Sequence, residues 1–280
     1  MSHAISFALN RISAPRVSFP DYLALCQRLG IATIELRNDL DGVEIQDGTS
    51  PVAIREQARE AGITIRSINA LYPFDMFDRE LEQRALALAR TARDCGAEAL
   101  VMCPLNSRDD PRNSAERARD LVAALKSLRP ILDDHGLQGL LEPLGFEECS
   151  LRRKSDAVTA IYAAAGERQY QLVHDTFHHF LAGEEEFFPD QTGLVHISGV
   201  EAADLEPARM RDGDRVLVGA GDRLETVRQL RTLIERGYPG VVSFEPFARD
   251  IMAAQDSERR LRESMDYIRV ELGRNDPLQA

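Results

Sequence analysis

The stretch Leu29-Gly30-Ile31-Ala32-Thr33-Ile34-Glu35-Leu36 contains the unit that decides the fold. A helical segment ends at a glycine, and a short strand-like run, Ala32 to Leu36, follows. Glycine just past a helix end takes the left-handed conformation that a side chain would make costly. The same unit recurs at Ala61-Gly62, Cys95-Gly96, His135-Gly136, Ala165-Gly166 and Arg236-Gly237. The runs that follow begin at Ile63, Ala99, Leu137, Tyr170 and Val241. The glycines are 32, 34, 40, 30 and 71 residues apart, so the last gap spans two units, and Leu194-Val195-His196-Ile197 supplies the missing strand. With the opening run Ile5-Ser6-Phe7-Ala8-Leu9, the chain of 280 residues reads as eight strand–helix units.

Between the strands, Leu81, Ala85, Leu88, Ala92 and Cys95 mark one helical face, and Leu261, Met265, Ile268 and Leu272 another. Their three- and four-residue spacing is that of a helix with one buried side. Pro51 and Pro111 stand where helices can start. Strands alternating with helices give a parallel sheet with right-handed crossovers, and eight of them close into a (β/α)8 TIM barrel. The competing open, doubly wound sheet often carries a glycine-rich loop after strand one, whereas here Asn10-Arg11-Ile12-Ser13-Ala14-Pro15 follows. No linker or low-complexity tract divides residues 1–280, which read as one barrel domain. The longest stretch without periodicity is 198–221, expected to be a loop over the site with Gly219 and Gly221 as its hinge.

Acidic residues outnumber basic ones by 46 to 34, for a net charge of −12. That balance argues against nucleic acid and against an anionic membrane surface, since both need a basic stripe. No apolar run approaches the ~18 residues of a membrane helix. The start, Met1 to Ser6, lacks the features of a secretory leader, and the four cysteines form no CxxC pair. A reducing cytoplasm with free thiols is the expected setting. A homo-oligomer is compatible with an acidic barrel of this size.

In such a barrel, chemistry gathers at the C-terminal ends of the strands. The last four strands end at Glu142, Asp175, His196 and Glu245. Four adjacent strand ends span ~14 Å before curvature, so side chains pointing inward can converge. Any one of these acids alone would pass for a cap or a solvated loop residue. Four in succession argue for a single divalent ion, because three converging carboxylates otherwise repel. Three carboxylates and one imidazole suit Mn²⁺, Co²⁺, Zn²⁺ or Fe²⁺. Glu142 and Glu245 each precede a proline, which holds them extended. They would flank the ion and move a proton between adjacent carbons. His178 is a candidate donor to a substrate oxygen, and Arg215 is either an oxygen clamp or a surface ion pair. His174 is expected to pack on the opposite face of its strand from Asp175, and His135 to serve its helix terminus.

These stretches resemble the xylose-isomerase-like barrels of the sugar phosphate isomerase/epimerase superfamily, nearest to the inosose (2-keto-myo-inositol) isomerases. The resemblance is carried by Ile34-Glu35-Leu36-Arg37, Asn69-Ala70-Leu71, Leu141-Glu142-Pro143-Leu144-Gly145 and Val173-His174-Asp175-Thr176-Phe177-His178. His196-Ile197-Ser198, Asp214-Arg215-Val216 and Phe244-Glu245-Pro246-Phe247 extend it over nearly the full chain. It implies that Glu142, Asp175, His196 and Glu245 are metal ligands and that Glu142 and Glu245 are the acid/base pair. It places His178, Arg215, Asn69 and Glu35 against a small sugar or cyclitol. The implied activity is isomerisation or epimerisation through an enediolate. A metal-dependent dehydratase of the same superfamily, acting on an inosose or dehydroshikimate, is the alternative. A DNA-repair endonuclease of this fold would need more histidines and a basic groove. A barrel that only binds would not need an acid on both flanks.

Overall fold

A computed structural model describes residues 5–274. The leader reading at Met1–Ala4 and the last six residues of the 1–280 domain reading lie outside the described residues. Eight parallel strands close into a barrel in sequence order. They are β1 (Phe7–Asn10), β2 (Thr33–Arg37), β3 (Thr64–Leu71), β4 (Ala99–Met102), β5 (Gln138–Leu141), β6 (Tyr170–Asp175), β7 (Thr192–Ile197) and β8 (Val242–Phe244). Residues Phe7 to Leu9 of β1 pair with Val242 to Phe244 of β8, which completes the ring. Helices α1 (Phe19–Leu29), α2 (Pro51–Glu60), α3 (Arg79–Cys95), α4 (Ser114–His135) and α5 (Lys154–Ala163) cover strands one to five. The outer layer is completed by α6 (Thr176–Ala182), α7 (Thr226–Glu235), α8 (Arg249–Met252) and α9 (Ser257–Gly273). None of these helices is long and apolar enough to cross a membrane.

Side-chain alternation divides each strand between two cores. Leu9, Ile34, Leu36, Ile68, Leu172 and Phe244 pack outward against the helices. Ala99, Val101, Leu140, Val173 and Leu194 form a second cluster that fills the lower barrel interior. One step further up, the inward positions turn polar: Glu35, Ser67, Asn69, His196 and Ser243 are all buried.

Most of the repeated glycines have positive φ as the sequence predicts, but Gly166 does not. Ala165 takes the left-handed turn there, at φ 49. Gly166 is needed for space instead, since a Cβ would come within 2.6 Å of the Tyr170 ring. Pro111 does not start a helix; Asn113 caps α4 through a capping box with Glu116. The buried face of α3 uses Ala89 where Leu88 was expected, and Leu88 is half-buried.

Candidate metal centre

Glu142, Asp175, His196 and Glu245 each offer a ligand atom, and these atoms lie within 4.8 Å of one another. Strand parity explains the convergence. Val173 and Leu194 sit in the interior cluster, so Asp175 and His196, two residues on, point inward as well. Asp175 and His196 are direct partners between β6 and β7. The Glu245 amide continues the ladder to the Ile197 carbonyl at 2.9 Å, and the Glu142 amide to the Met102 carbonyl at 3.1 Å. All four side chains are buried.

A second layer, drawn from the opposite half of the barrel together with Ser243 and Arg215, holds them. His196 Nε2 lies 3.1 Å from Glu35 Oε2. Glu35 also accepts from Ser67 Oγ at 2.6 Å, Asn69 Nδ2 at 2.9 Å and Ser243 Oγ. Glu245 receives Arg37 Nη1 at 2.9 Å and Asn10 Nδ2 at 3.3 Å on one oxygen, and Arg215 Nη2 at 3.0 Å on the other. Asp175 caps α6, accepting the Phe177 and His178 amides on Oδ1, while Arg215 Nη2 reaches its Oδ2 at 2.6 Å. On its outer oxygen Glu142 has one weak donor among the described residues, the Cys103 thiol, which points at Oε2 from 3.3 Å.

The donor set fits a divalent cation. With its Nε2 proton directed at Glu35, His196 turns Nδ1 toward Glu142 Oε1 at 2.7 Å and Glu245 Oε2 at 3.2 Å. A neutral imidazole would aim a lone pair at two carboxylate oxygens, which repel it. Positive charge is required between them, as a second ring proton or a metal ion. Burial works against a charged His196, yet Glu245, Glu35 and Glu142 together raise it well above the usual histidine range. Burial likewise works to raise Glu35, but the charge and hydrogen bond of His196 hold it at about 2. Glu245 is lowered too: against the effect of burial act His196, Arg215 and Arg37. A carboxylate fixing the far nitrogen of a ligating histidine is the usual outer arrangement of a metal site.

Residues 23–270 match the family model of the xylose isomerase-like TIM barrel. The chain belongs to that family. A xylose isomerase domain-containing protein of Salmonella typhimurium LT2 shares 32% identity at a TM-score of 0.87, covering 96% of this chain and 97% of its own. The structure of the IolI protein with a bound zinc atom aligns at TM-score 0.81 and 21% identity, over 96% and 98% of the two chains. D-psicose 3-epimerase of Clostridium cellulolyticum H10, solved with D-tagatose, aligns at 0.73 and 15%, over 96% and 99%. None of the curated proteins matches the sequence.

Within this xylose isomerase-like barrel, several residues lie elsewhere than the sequence suggests. Glu35, expected against the substrate, is fully buried behind His196. Asn69, placed beside it in the same expectation, gives its amide nitrogen to Glu35 and Ser67. Arg215 is no surface ion pair: it is 1% exposed and bound to Asp175, Glu245, Ser198 and Asp212. His178 is buried beside Phe146 and Phe177, and its Nδ1 has no hydrogen-bond partner among the described residues. His174 packs outward as expected, between Lys154 Nζ and Gln229 Oε1, each 2.9 Å away. His135 Nδ1 lies 2.7 Å from the Ile131 carbonyl within α4.

The loop 198–221 is pinned rather than hinged. Gly199 and Val216 bridge in antiparallel fashion. Neither Gly219 nor Gly221 has a positive φ, and a Cβ on either would come within 3.3 Å of the Glu201 side chain. Arg37, Asn10, Ser243 and Cys103 were not singled out as site residues. Parity was the available signal, since Arg37 and Ser243 each stand two residues from an inward acid, Glu35 and Glu245.

Proposed function

We propose that this chain is a divalent-metal-dependent isomerase or epimerase of a ketosugar or keto-cyclitol, with an inosose as the leading substrate. The carrying observation is the convergence of Glu142, Asp175, His196 and Glu245 on one point, with His196 Nδ1 facing two carboxylates. These four residues would hold the ion, which when bound supplies Lewis-acid polarisation of a carbonyl and its neighbouring hydroxyl. The zinc atom in the IolI structure supports the choice of a divalent cation.

The chain's own residues then have separable roles. Glu142 and Glu245 come from β5 and β8, the two ends of the ligand arc, so each can face one side of a bound ketone. One carboxylate takes the carbon-bound proton, leaving an enediolate, and the same or the other carboxylate returns it to carbon. His178, with an unpartnered Nδ1, is assigned to a substrate oxygen. Arg215 bridges Asp175 Oδ2 and Glu245 Oε2 and orients both carboxylates.

Proton NMR in D₂O of the metal-loaded protein with inososes and free ketohexoses tests this reading. Interconversion with deuterium entering at carbon is the expected result. Conversion without label would indicate a hydride shift. Growth of enone absorbance in the ultraviolet would indicate water loss, and so a dehydratase.

A further inference from the structure

Beyond Phe146 lies a cavity of about 210 Å³, at the same end of the barrel as the quartet. Three guanidiniums edge it: Arg108 from the loop after β4, Arg152 from the loop after β5 and Arg211 from the loop after β7. None of the quartet lines it. Arg152 is fixed in the wall. Its Nε donates to the Gly145 carbonyl and its Nη2 to the Leu181 carbonyl, each at 2.9 Å, and Nη1 has no hydrogen bond among the described residues. Arg211 is held by Nη1, which donates to the Ala208 and Met210 carbonyls at 3.1 and 2.7 Å, and its guanidinium lies 5.6 Å from the centre of the Phe146 ring. Its Nη2 stops 4.0 Å from Glu148 Oε1, and Arg108 Nε stops 3.9 Å from the same oxygen. Neither contact is short enough to be a hydrogen bond. One carboxylate oxygen is thus shared between two guanidiniums and satisfies neither. Glu147, the other acid in the lining, is exposed and pairs with no cation among the described residues.

Other arginines at this end of the barrel are closed on acids. Arg11 meets Glu44 at 2.8 Å, Arg37 meets Asp39 at 2.6 Å, and Arg112 meets Asp75 and Asp110 at 3.0 and 2.9 Å. In a chain with 46 acidic residues against 34 basic ones, three guanidiniums around one loosely held acid depart from that pattern. Guanidinium forks match the oxygens of carboxylate and phosphate. The three here come from three separate loops, so their donors enter the cavity from different sides. A tetrahedral phosphoryl group has oxygens in several directions, whereas a carboxylate has two in one plane. It also carries close to two negative charges, against one on Glu148, and so competes for the space between Arg108 and Arg211. Phe146, one wall of the cavity, stands edge-on to His178 with ring centres 5.2 Å apart. One ring therefore separates the cavity from the residue assigned to a substrate oxygen. The group can arrive as free phosphate or at the far end of a phosphorylated sugar.

We propose that this cavity is a phosphoryl-binding site formed by Arg108, Arg152 and Arg211. It is separate from the metal quartet and does not depend on the isomerase reading. The test is calorimetric titration of inorganic phosphate into Mn²⁺-loaded protein freed of excess metal. The double variant Arg108→Gln, Arg211→Gln, loaded in the same way, is titrated beside it. The two side chains are 75% and 47% exposed, so the variant should fold, and a thermal melt checks that it does. The expected result is one phosphate per chain in wild type and at least tenfold weaker binding in the variant. No binding to wild type overturns the proposal. Equal affinity in the two proteins also overturns it and would place the phosphate on the metal. Acetate should bind at least tenfold more weakly than phosphate, and equal binding overturns the choice of a tetrahedral anion. Arg108→Gln alone removes a side chain that makes no hydrogen bond among the described residues, and it serves if the double variant misfolds. It too should weaken phosphate binding, and an undiminished affinity counts against the proposal in the same way. D-fructose 6-phosphate, titrated into both proteins, separates the two sources. Binding at least tenfold tighter than inorganic phosphate, and weaker in the double variant, supports a phosphorylated ketose as the occupant. Binding no tighter than inorganic phosphate, and again weaker in the double variant, supports free phosphate. Binding of D-fructose 6-phosphate that the double variant leaves unchanged overturns the site as its phosphoryl pocket. The isomerase reading stands or falls on its own deuterium experiment in every case.

Discussion

The two halves of the barrel carry different layers of the same site. Strands β5 to β8 supply the four converging ligand atoms. Strands β1 to β4 supply Asn10, Glu35, Arg37, Ser67 and Asn69, which bind those ligands or each other. The first half only holds, whereas the second half supplies the candidate ligands and two holding residues of its own, Arg215 and Ser243. The halves meet along two sheet seams, β1 with β8 and β4 with β5, and across the interior, where Glu35 faces His196 and Arg37 and Asn10 reach Glu245. A change in the ligand half should therefore abolish function, whereas a change in the supporting half should weaken it by a measurable factor.

The largest effect is expected in the ligand half. Glu142→Gln and Glu245→Gln should each lower kcat by at least ~10²-fold, the low end for removing a positioned acid or base. Metal content must be measured with the rate, and His196→Ala should lower that content from about one ion per chain. Full activity in either glutamine variant with metal bound would break the division of labour. Arg215→Ala comes next. Loss of a charge-assisted hydrogen-bond donor beside Asp175 and Glu245 should cost on the order of 1–3 kcal/mol, or roughly 5–150-fold in kcat/KM. A change within twofold would mean that Arg215 only balances charge.

In the supporting half, Glu35→Gln keeps the shape but removes the charge behind His196. Metal affinity should fall by ~10–100-fold, the usual scale for an outer-layer partner of a ligating histidine. Equilibrium metal titration reads this without any substrate. An affinity equal to wild type would place Glu35 outside the metal site altogether.

The same contrast explains what the sequence disclosed. The barrel was legible because glycine-capped helices and short apolar strands recur with a steady spacing. The ligand half was legible because four consecutive strands end on an acid or histidine, and strand ends follow from local pattern. The supporting half was not. Glu35 lies in the middle of β2, two residues before the strand end at Arg37, and nothing local says that it faces the back of a histidine 161 residues away. That relation exists only once β1 pairs with β8 and the interior is enclosed. Arg215 was obscured for a similar reason: it belongs to an aperiodic loop, and its burial depends on the Gly199–Val216 bridge. Asp175 has a second role, as the cap of α6, which was hidden because the helix begins at the very next residue.

The smallest expected effect lies on the outer face of the ligand half, where β6 turns His174 away from the barrel. Lys154 Nζ contacts His174 Nδ1 at 2.9 Å and the Glu186 carbonyl at 3.0 Å, beside the Phe187 ring. Burial pushes this amine down to about 7, against the opposing charges of Glu184 and Glu186. Unfolded, a lysine titrates near 10.4. Between those values the unfolded chain holds a proton that the folded chain has released. Stability therefore rises with pH across that window, and below about 7 the cost of burying the ammonium is fully present. His179 stacks on the same cluster and is depressed to about 3 by burial and by Lys154, so it stays neutral throughout the window. Lys154→Met removes the titrating group while keeping an unbranched apolar stem. The difference in unfolding free energy between wild type and variant should then shift in favour of wild type from pH 7 to pH 9. The slope is at most ~1.4 kcal/mol per pH unit. The slope is the decisive quantity, because the variant also loses two hydrogen bonds and its absolute stability reflects both changes. Parallel curves from denaturant melts at several pH values would show that Lys154 keeps its charge inside the fold. The outer face of β6 would then be tuned by its carboxylates rather than by burial.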